Sequence, residues 1–239
     1  MRILVTGGAS GLGEVITRRF CATGDHVVYF TFSKSSAAAA DIVAQYPGSE
    51  SIACDFTDDA SLGRLLARIP ELDIDVLVNN ALASMQTRHF HQSNPDGFLS
   101  SFETNVMPTL RITQQAIKGF RKKKSGKIIT VLSAYVVNRP PVGLSEYVAN
   151  KAYLLSLSRS WAVEYARSNI TANCVSPSMM RTALTAGIDE RQIDEAIAGN
   201  PLGRLVTPNE VADAVLFLAQ ASPHLNGVNM LINSGDSMI

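Results

Sequence analysis

Short apolar, β-branched runs alternate with helical patterns along almost the whole chain, and this alternation limits the fold more than any other feature. The runs are Ile3–Val5, Val27–Thr31, Ser51–Cys54, Val76–Val78, Lys127–Leu132, Thr171–Val175 and Val228–Ile232. Helical patterns fall between most of them, at Leu12–Thr23, Ser36–Gln45, Ser61–Ile69, Phe98–Arg121, Glu146–Arg167 and Pro208–Ala219. Strands that alternate with helices pair in parallel, because each return needs a crossover. Several runs are apolar without interruption, as strands covered on both faces require. The pattern predicts an α/β fold: a doubly wound parallel sheet of about seven strands with helices on both faces. With 239 residues, 46% of them hydrophobic, and no repeat or linker, residues 1–239 read as one domain.

Composition excludes several classes of function. Lys+Arg and Asp+Glu both number 21, so the formal net charge is zero. That balance predicts no nucleic-acid partner and no attraction to an anionic membrane. No run approaches the ~18 apolar residues of a membrane span, and the first apolar run is too short for a secretory signal. Cys21, Cys54 and Cys174 are odd in number and far apart in apolar stretches. They read as buried free thiols, which places the chain in the cytoplasm. His89 and His91 flank Phe90 without an acidic or cysteine partner at ligand spacing, so no metal site is expected.

Two motifs carry chemistry. "TGGASGLG", from Thr6 to Gly13, joins the first strand to the first helix. Such a turn directs helix N–H groups and the positive end of the helix dipole at whatever lies above it. Glycine lets a diphosphate approach the backbone. The spacing is Gly7-xxx-Gly11-x-Gly13, and no Walker lysine follows. The second motif is "SEYVANKAY". Tyr147 and Lys151 stand four apart in a helical pattern and so share a face. An ammonium beside a phenol favours the phenolate, so the pair is expected to bring the Tyr147 pKa down towards neutrality.

Together these stretches resemble the short-chain dehydrogenase/reductase family over essentially the whole chain. "TGGASGLG" is similar to its glycine fingerprint. "CDFTD" supplies Asp55, "NNA" spans Asn79 to Ala81, and "TNVMP" contains Asn105. "VLSA" contains Ser133, "YVANK" is the Tyr-xxx-Lys pair, and "CVSPSMMRT" follows the sixth strand. The resemblance implies a Rossmann-like sheet and hydride transfer between a nicotinamide and a carbonyl or secondary alcohol. It implies a catalytic set of Asn105, Ser133, Tyr147 and Lys151. Tyr147 would give a proton to the carbonyl oxygen and Ser133 would hold that oxygen. Lys151 would tune Tyr147 and bind the ribose, and Asn105 would anchor a proton-relaying water. Cofactor contacts are implied for Gly7, Ala9, Ser10, Gly11, Leu12, Ser33, Lys34, Asp55, Phe56, Asn79, Ala81, Tyr147, Lys151, Pro177, Met180 and Thr182.

The pattern is most similar to the 3-oxoacyl-thioester reductases. Alternatives are a dehydrogenase of another secondary alcohol, such as a sugar or polyketide-like intermediate, and a non-catalytic nucleotide sensor. Sugar-nucleotide epimerases carry a middle glycine where this chain has Ser10. Divergent enoyl reductases carry lysine seven residues after the tyrosine, where this chain has Leu154. Departures from the family pattern are Leu82 in place of a glycine after "NNA" and Ser178 in place of the glycine after Pro177. Thr31 ends the second strand where NAD-preferring members carry an acid, and Ser33, Lys34 and Ser35 follow. NADP(H) is therefore the favoured cofactor, with NAD(H) as the alternative. A substrate lid is expected around residues 178–205, with Met179, Met180 and Leu184 facing an apolar pocket. Wide apolar faces on the two long helices predict a homodimer or homotetramer.

Overall fold

The computed structural model describes residues 1–182 and 189–236. Among these, seven strands form one parallel sheet: β1 (Arg2–Val5), β2 (Val27–Phe32), β3 (Ser49–Ala53), β4 (Val76–Asn79), β5 (Gly126–Val131), β6 (Ile170–Pro177) and β7 (Asn229–Ile232). Their spatial order is β3-β2-β1-β4-β5-β6-β7. The chain thus winds outward from β1 in one direction and then from β4 in the other. The reversal leaves a crevice above the carboxyl ends of β1 and β4, where such sheets bind ligands.

Helices α1 (Gly11–Cys21), α2 (Ser36–Gln45), α3 (Asp59–Leu72), α4 (Pro95–Asn105), α5 (Met107–Lys123), α6 (Ser145–Glu164), α7 (Glu190–Gly199) and α8 (Pro208–Gln220) make up the rest. Strand alternation sends neighbours to opposite faces. Ile3 and Val5 of β1 pack with Ile16 and Phe20 of α1, Ile42 of α2 and Val215 of α8. Leu4, between them, packs with Leu65 of α3 and with Ile112 and Phe120 of α5 on the other face. Both faces are buried, which is why the strands read as unbroken apolar runs. Emptying one such position, as in Leu65→Ala, costs about 2–5 kcal/mol.

Caps fix the helix starts that matter for the crevice. Asp58 accepts from the Ala60 amide at 2.9 Å, and Asn94 accepts from that of Asp96 at 3.1 Å. Thr207 and Glu210 form a reciprocal capping box on α8. The expected single helix over Phe98–Arg121 is two helices. Pro108 has no N–H to offer the carbonyl four residues back, so the helix breaks at Val106 and restarts. The break sets Asn105 at the end of α4, facing the loop after β4. Of the three cysteines, Cys54 and Cys174 are buried as expected, while Cys21 is only half-buried; all three thiols are free.

Candidate active site

The crevice is a cleft of about 430 Å³ along the carboxyl edge of the sheet. At one end stands the glycine turn. Gly7 has φ +65°, in the left-handed region. A Cβ on Gly13 would collide with the Gly7 carbonyl oxygen, so only glycine lets α1 start this close to β1. Ser10 precedes α1 without capping it through its side chain. The first-turn N–H groups therefore stay available to an anion.

The next stretch of the cleft is built by the ends of β2 and β3. Thr31 is buried, and its hydroxyl accepts the Gly7 amide at 2.9 Å. It is thus a brace for the glycine turn as well as part of the cleft wall, which Ser33 and Lys34 beyond it continue. Asp55 faces them. Its carboxylate accepts from the Thr57 amide at 2.9 Å, from the Thr57 hydroxyl at 2.8 Å and from the Ser33 hydroxyl at 3.2 Å. These bonds, chiefly those from Thr57, hold its pKa below the usual carboxylate value. A hydrogen-bonded carboxylate therefore sits beside Ser33 and Lys34; the sequence named all three as cofactor contacts but not their contact with one another.

At the other end the cleft meets Ser133, Tyr147 and Lys151. Ser133 follows β5 and starts a 3₁₀ turn at Ala134–Val136. Tyr147 and Lys151 lie in the first two turns of α6, with the Lys151 ammonium 5.8 Å from the Tyr147 ring centre. Lys151 is buried, and its Nζ donates to the Val131 carbonyl at 2.8 Å. Burial brings its pKa down to about 8. Burial also pushes the Tyr147 phenol up to about 12, against the opposing pull of Ser133. The expected drop towards neutrality is not what the protein shows, because desolvation outweighs every neighbouring group. Tyr147 is therefore a neutral phenol at pH 7, loaded with the proton that carbonyl reduction needs.

Most of the residues implied by the resemblance come together here. Gly7, Ala9, Ser10, Gly11, Leu12, Ser33, Lys34, Asp55, Phe56, Ala81, Pro177, Met180 and Thr182 all line the cleft. Two do not. Asn79 is buried on the far side of β4, donating to the Thr113 hydroxyl at 2.9 Å, and Asn80 lines the cleft instead. Asn105 lies behind the cleft. Its Oδ1 accepts from the Ala83 and Ser84 amides at 2.8 and 3.3 Å, and its Nδ2 donates to the Ser84 carbonyl and the Ser101 hydroxyl, both at 3.2 Å. The side chain is fully used in tying down the loop after β4. A cavity of about 10 Å³, the size of one water, lies against Asn105 and Lys151.

Met85 and Tyr135 also line the cleft, and neither was singled out in the sequence. Leu82 and Ser178, the two family departures, line it as well. Of the expected apolar trio, Met179 and Met180 reach the cleft, and Leu184 lies outside the described residues.

The family model described as "Enoyl-(Acyl carrier protein) reductase" matches residues 7–237, from the glycine turn to beyond β7. This chain is a short-chain dehydrogenase/reductase. It is 31% identical to the 3-oxoacyl-[acyl-carrier-protein] reductases FabG of Vibrio harveyi and of Escherichia coli K12, over 99% of this chain and 97% of each relative. A solved short-chain dehydrogenase/reductase family protein superposes with a TM-score of 0.86 at 34% identity, covering 98% of this chain and 96% of that one. A putative gluconate dehydrogenase from Agrobacterium tumefaciens superposes with a TM-score of 0.89 at 24% identity, a likeness of fold alone. Membership makes the chain an NAD(P)-dependent oxidoreductase, similar to the 3-oxoacyl-thioester reductases. Within the short-chain dehydrogenase/reductases it keeps its lysine four residues after the tyrosine; Leu154 is buried in the core behind the cleft.

Proposed function

We propose that this short-chain dehydrogenase/reductase reduces the ketone of a 3-oxoacyl thioester or close analogue with NADPH, using Ser133, Tyr147 and Lys151. The observation that carries this reading is the protonated Tyr147 in reach of Ser133, at the opposite end of one continuous cleft from the uncapped start of α1. The nicotinamide, when bound, supplies the hydride. Ser133 and Tyr147 receive the carbonyl oxygen, and Tyr147 gives up its proton as that oxygen gains charge. Lys151, still mostly protonated at pH 7, stabilises the phenolate that is left. Asn105 keeps the loop after β4 in place, and the water-sized cavity beside it leads protons back to Lys151.

The residues present fit a dinucleotide. The glycine turn leaves room for a diphosphate, and the α1 amides are free to bind it. Ser33 and Lys34 favour the 2′-phosphate of NADP(H). Asp55 competes for both, so the preference is moderate and NAD(H) is accepted. Initial rates with NADPH and NADH against a panel of ketones and β-ketothioesters, followed by cofactor absorbance, test the reading. Faster turnover of the thioesters with NADPH supports it; no oxidation of either cofactor contradicts it.

The exposed apolar side chains Leu99 of α4, Tyr153 and Val163 of α6 and Met107 of α5 support assembly through these helices as a homodimer or homotetramer. A monomer by light scattering at micromolar concentration contradicts this. The balanced charge and unpaired thiols support the cytoplasm as its compartment, and no helix among the described residues is long and apolar enough to cross a membrane.

A further inference from the structure

Beside Ser133 stands a second phenol that the reaction does not use. Tyr135 lines the same cleft as Ser133 and Tyr147. Its backbone amide donates to the Ser133 hydroxyl oxygen at 3.3 Å. The amides of Val137 and Asn138 close the turn on the Ala134 carbonyl at 3.0 and 2.8 Å. The position of Tyr135 is therefore fixed relative to Ser133, the group that meets the reacting oxygen. Its hydroxyl makes no hydrogen bond to any described residue. A half-buried phenol with its donor unmatched has capacity for a ligand.

The C-terminal segment after β7 adds a charge to this corner. Asn138, at the end of the Tyr135 turn, donates from Nδ2 to Asp236 at 3.1 Å. Asp236 is near enough to add to the upward shift that burial gives the Tyr135 phenol. Tyr135 is thus a proton-bearing donor at neutral pH, with the Asp236 carboxyl group close to its turn.

We propose that Tyr135 is a specificity-determining residue: its hydroxyl donates to a second, uncharged oxygen of the substrate, and Asp236 turns away substrates that carry an anion there. The proposal rests on the reading above, in which Ser133 and Tyr147 receive the ketone oxygen. A ketone with an ester or thioester oxygen nearby satisfies Tyr135; a simple ketone leaves it unmatched; a free β-keto acid meets Asp236.

Three ketones separate these cases: ethyl acetoacetate, 2-pentanone and acetoacetate, each with NADPH. Tyr135→Phe should lower kcat/KM for ethyl acetoacetate about tenfold, the worth of one hydrogen bond. It should leave 2-pentanone and the NADPH dissociation constant within about twofold of wild type. Asp236→Asn should raise acetoacetate relative to the ester by about fivefold, the scale of one partly screened charge. An unchanged ester rate in Tyr135→Phe, or an equal fall on both neutral ketones, overturns the assignment while leaving the reductase reading intact. A wild type that reduces none of the three overturns both.

Discussion

The two ends of the cleft are built in different ways. At the cofactor end, backbone does the work: a turn that only glycine can make, a helix start without a cap, and a buried threonine holding the turn from below. At the proposed substrate end, side chains do it: Ser133 after β5, Tyr147 and Lys151 on α6 and Tyr135 in the turn between, with Asp236 bonded to Asn138 at the end of that turn. In the proposed reading, backbone geometry binds the cofactor that members of the family share. Side chains drawn from separated segments can change one at a time, so the proposed reading puts selectivity at this end.

The separation can be broken most severely at Tyr147. In Tyr147→Phe the ring keeps its packing and only the proton is lost. Turnover should fall by about 10²–10⁴-fold, while NADPH affinity, measured by fluorescence titration, stays within about threefold of wild type. A parallel loss of affinity would show that the two ends are not separable.

Lys151 stands beside Tyr147 at the proposed substrate end, and pH probes it. Burial holds its pKa below the ordinary lysine value, at about 8. Its charge is present below that pH and lost above it. The kcat/KM for reduction should be level near pH 7 and fall as the pH rises through about 8, and Lys151→Ala should abolish this fall along with most of the rate. A profile that is flat to pH 10 in the wild type contradicts the assignment.

The smallest effect is expected at Asp55. Asp55→Asn frees Ser33 and Lys34 from a carboxylate and removes a charge that opposes a 2′-phosphate. The ratio of kcat/KM with NADPH to that with NADH should rise by about threefold to fivefold, in keeping with one partly exposed charge. The KM for the ketone should not move. A ratio that stays constant would mean that Asp55 does not reach the phosphate site.

Much of the fold was legible because it follows from periodicity. The Ser36–Gln45 helix has the expected bounds, and every expected strand is present, with ends that differ by a residue or two. The split of the helix pattern at Val106 was also visible in principle, since Pro108 marks it. The glycine turn and the Tyr147–Lys151 pair were legible because each needs particular residue types at particular spacings, while Ser133 came only from the resemblance to the family. What escaped depends on which way a side chain faces. Asn79 and Leu77 share a face of β4 that packs towards α5, so strand alternation alone could have chosen Asn80 for the cleft. The place of Thr31 beside the cleft was legible from its position at the end of β2, but its bond to the Gly7 amide was not. The direction of the Tyr147 shift was hidden because the cost of burial outweighs the neighbouring groups, and burial is a property of the folded chain. Tyr135 and Asp236 lie 101 positions apart in a 239-residue chain, and nothing local links them.

The central claim is hydride transfer onto a ketone held by Ser133 and Tyr147, and isotope transfer tests it most directly. Wild-type protein is incubated with a β-ketothioester and NADPH carrying deuterium at the transferable position of the nicotinamide, and the product is weighed by mass spectrometry. The account predicts a hydroxythioester with one deuterium on the carbon that bore the ketone, and no such product from Tyr147→Phe on the same timescale. An unlabelled product, or an equal yield of labelled product from the phenylalanine variant, would contradict it.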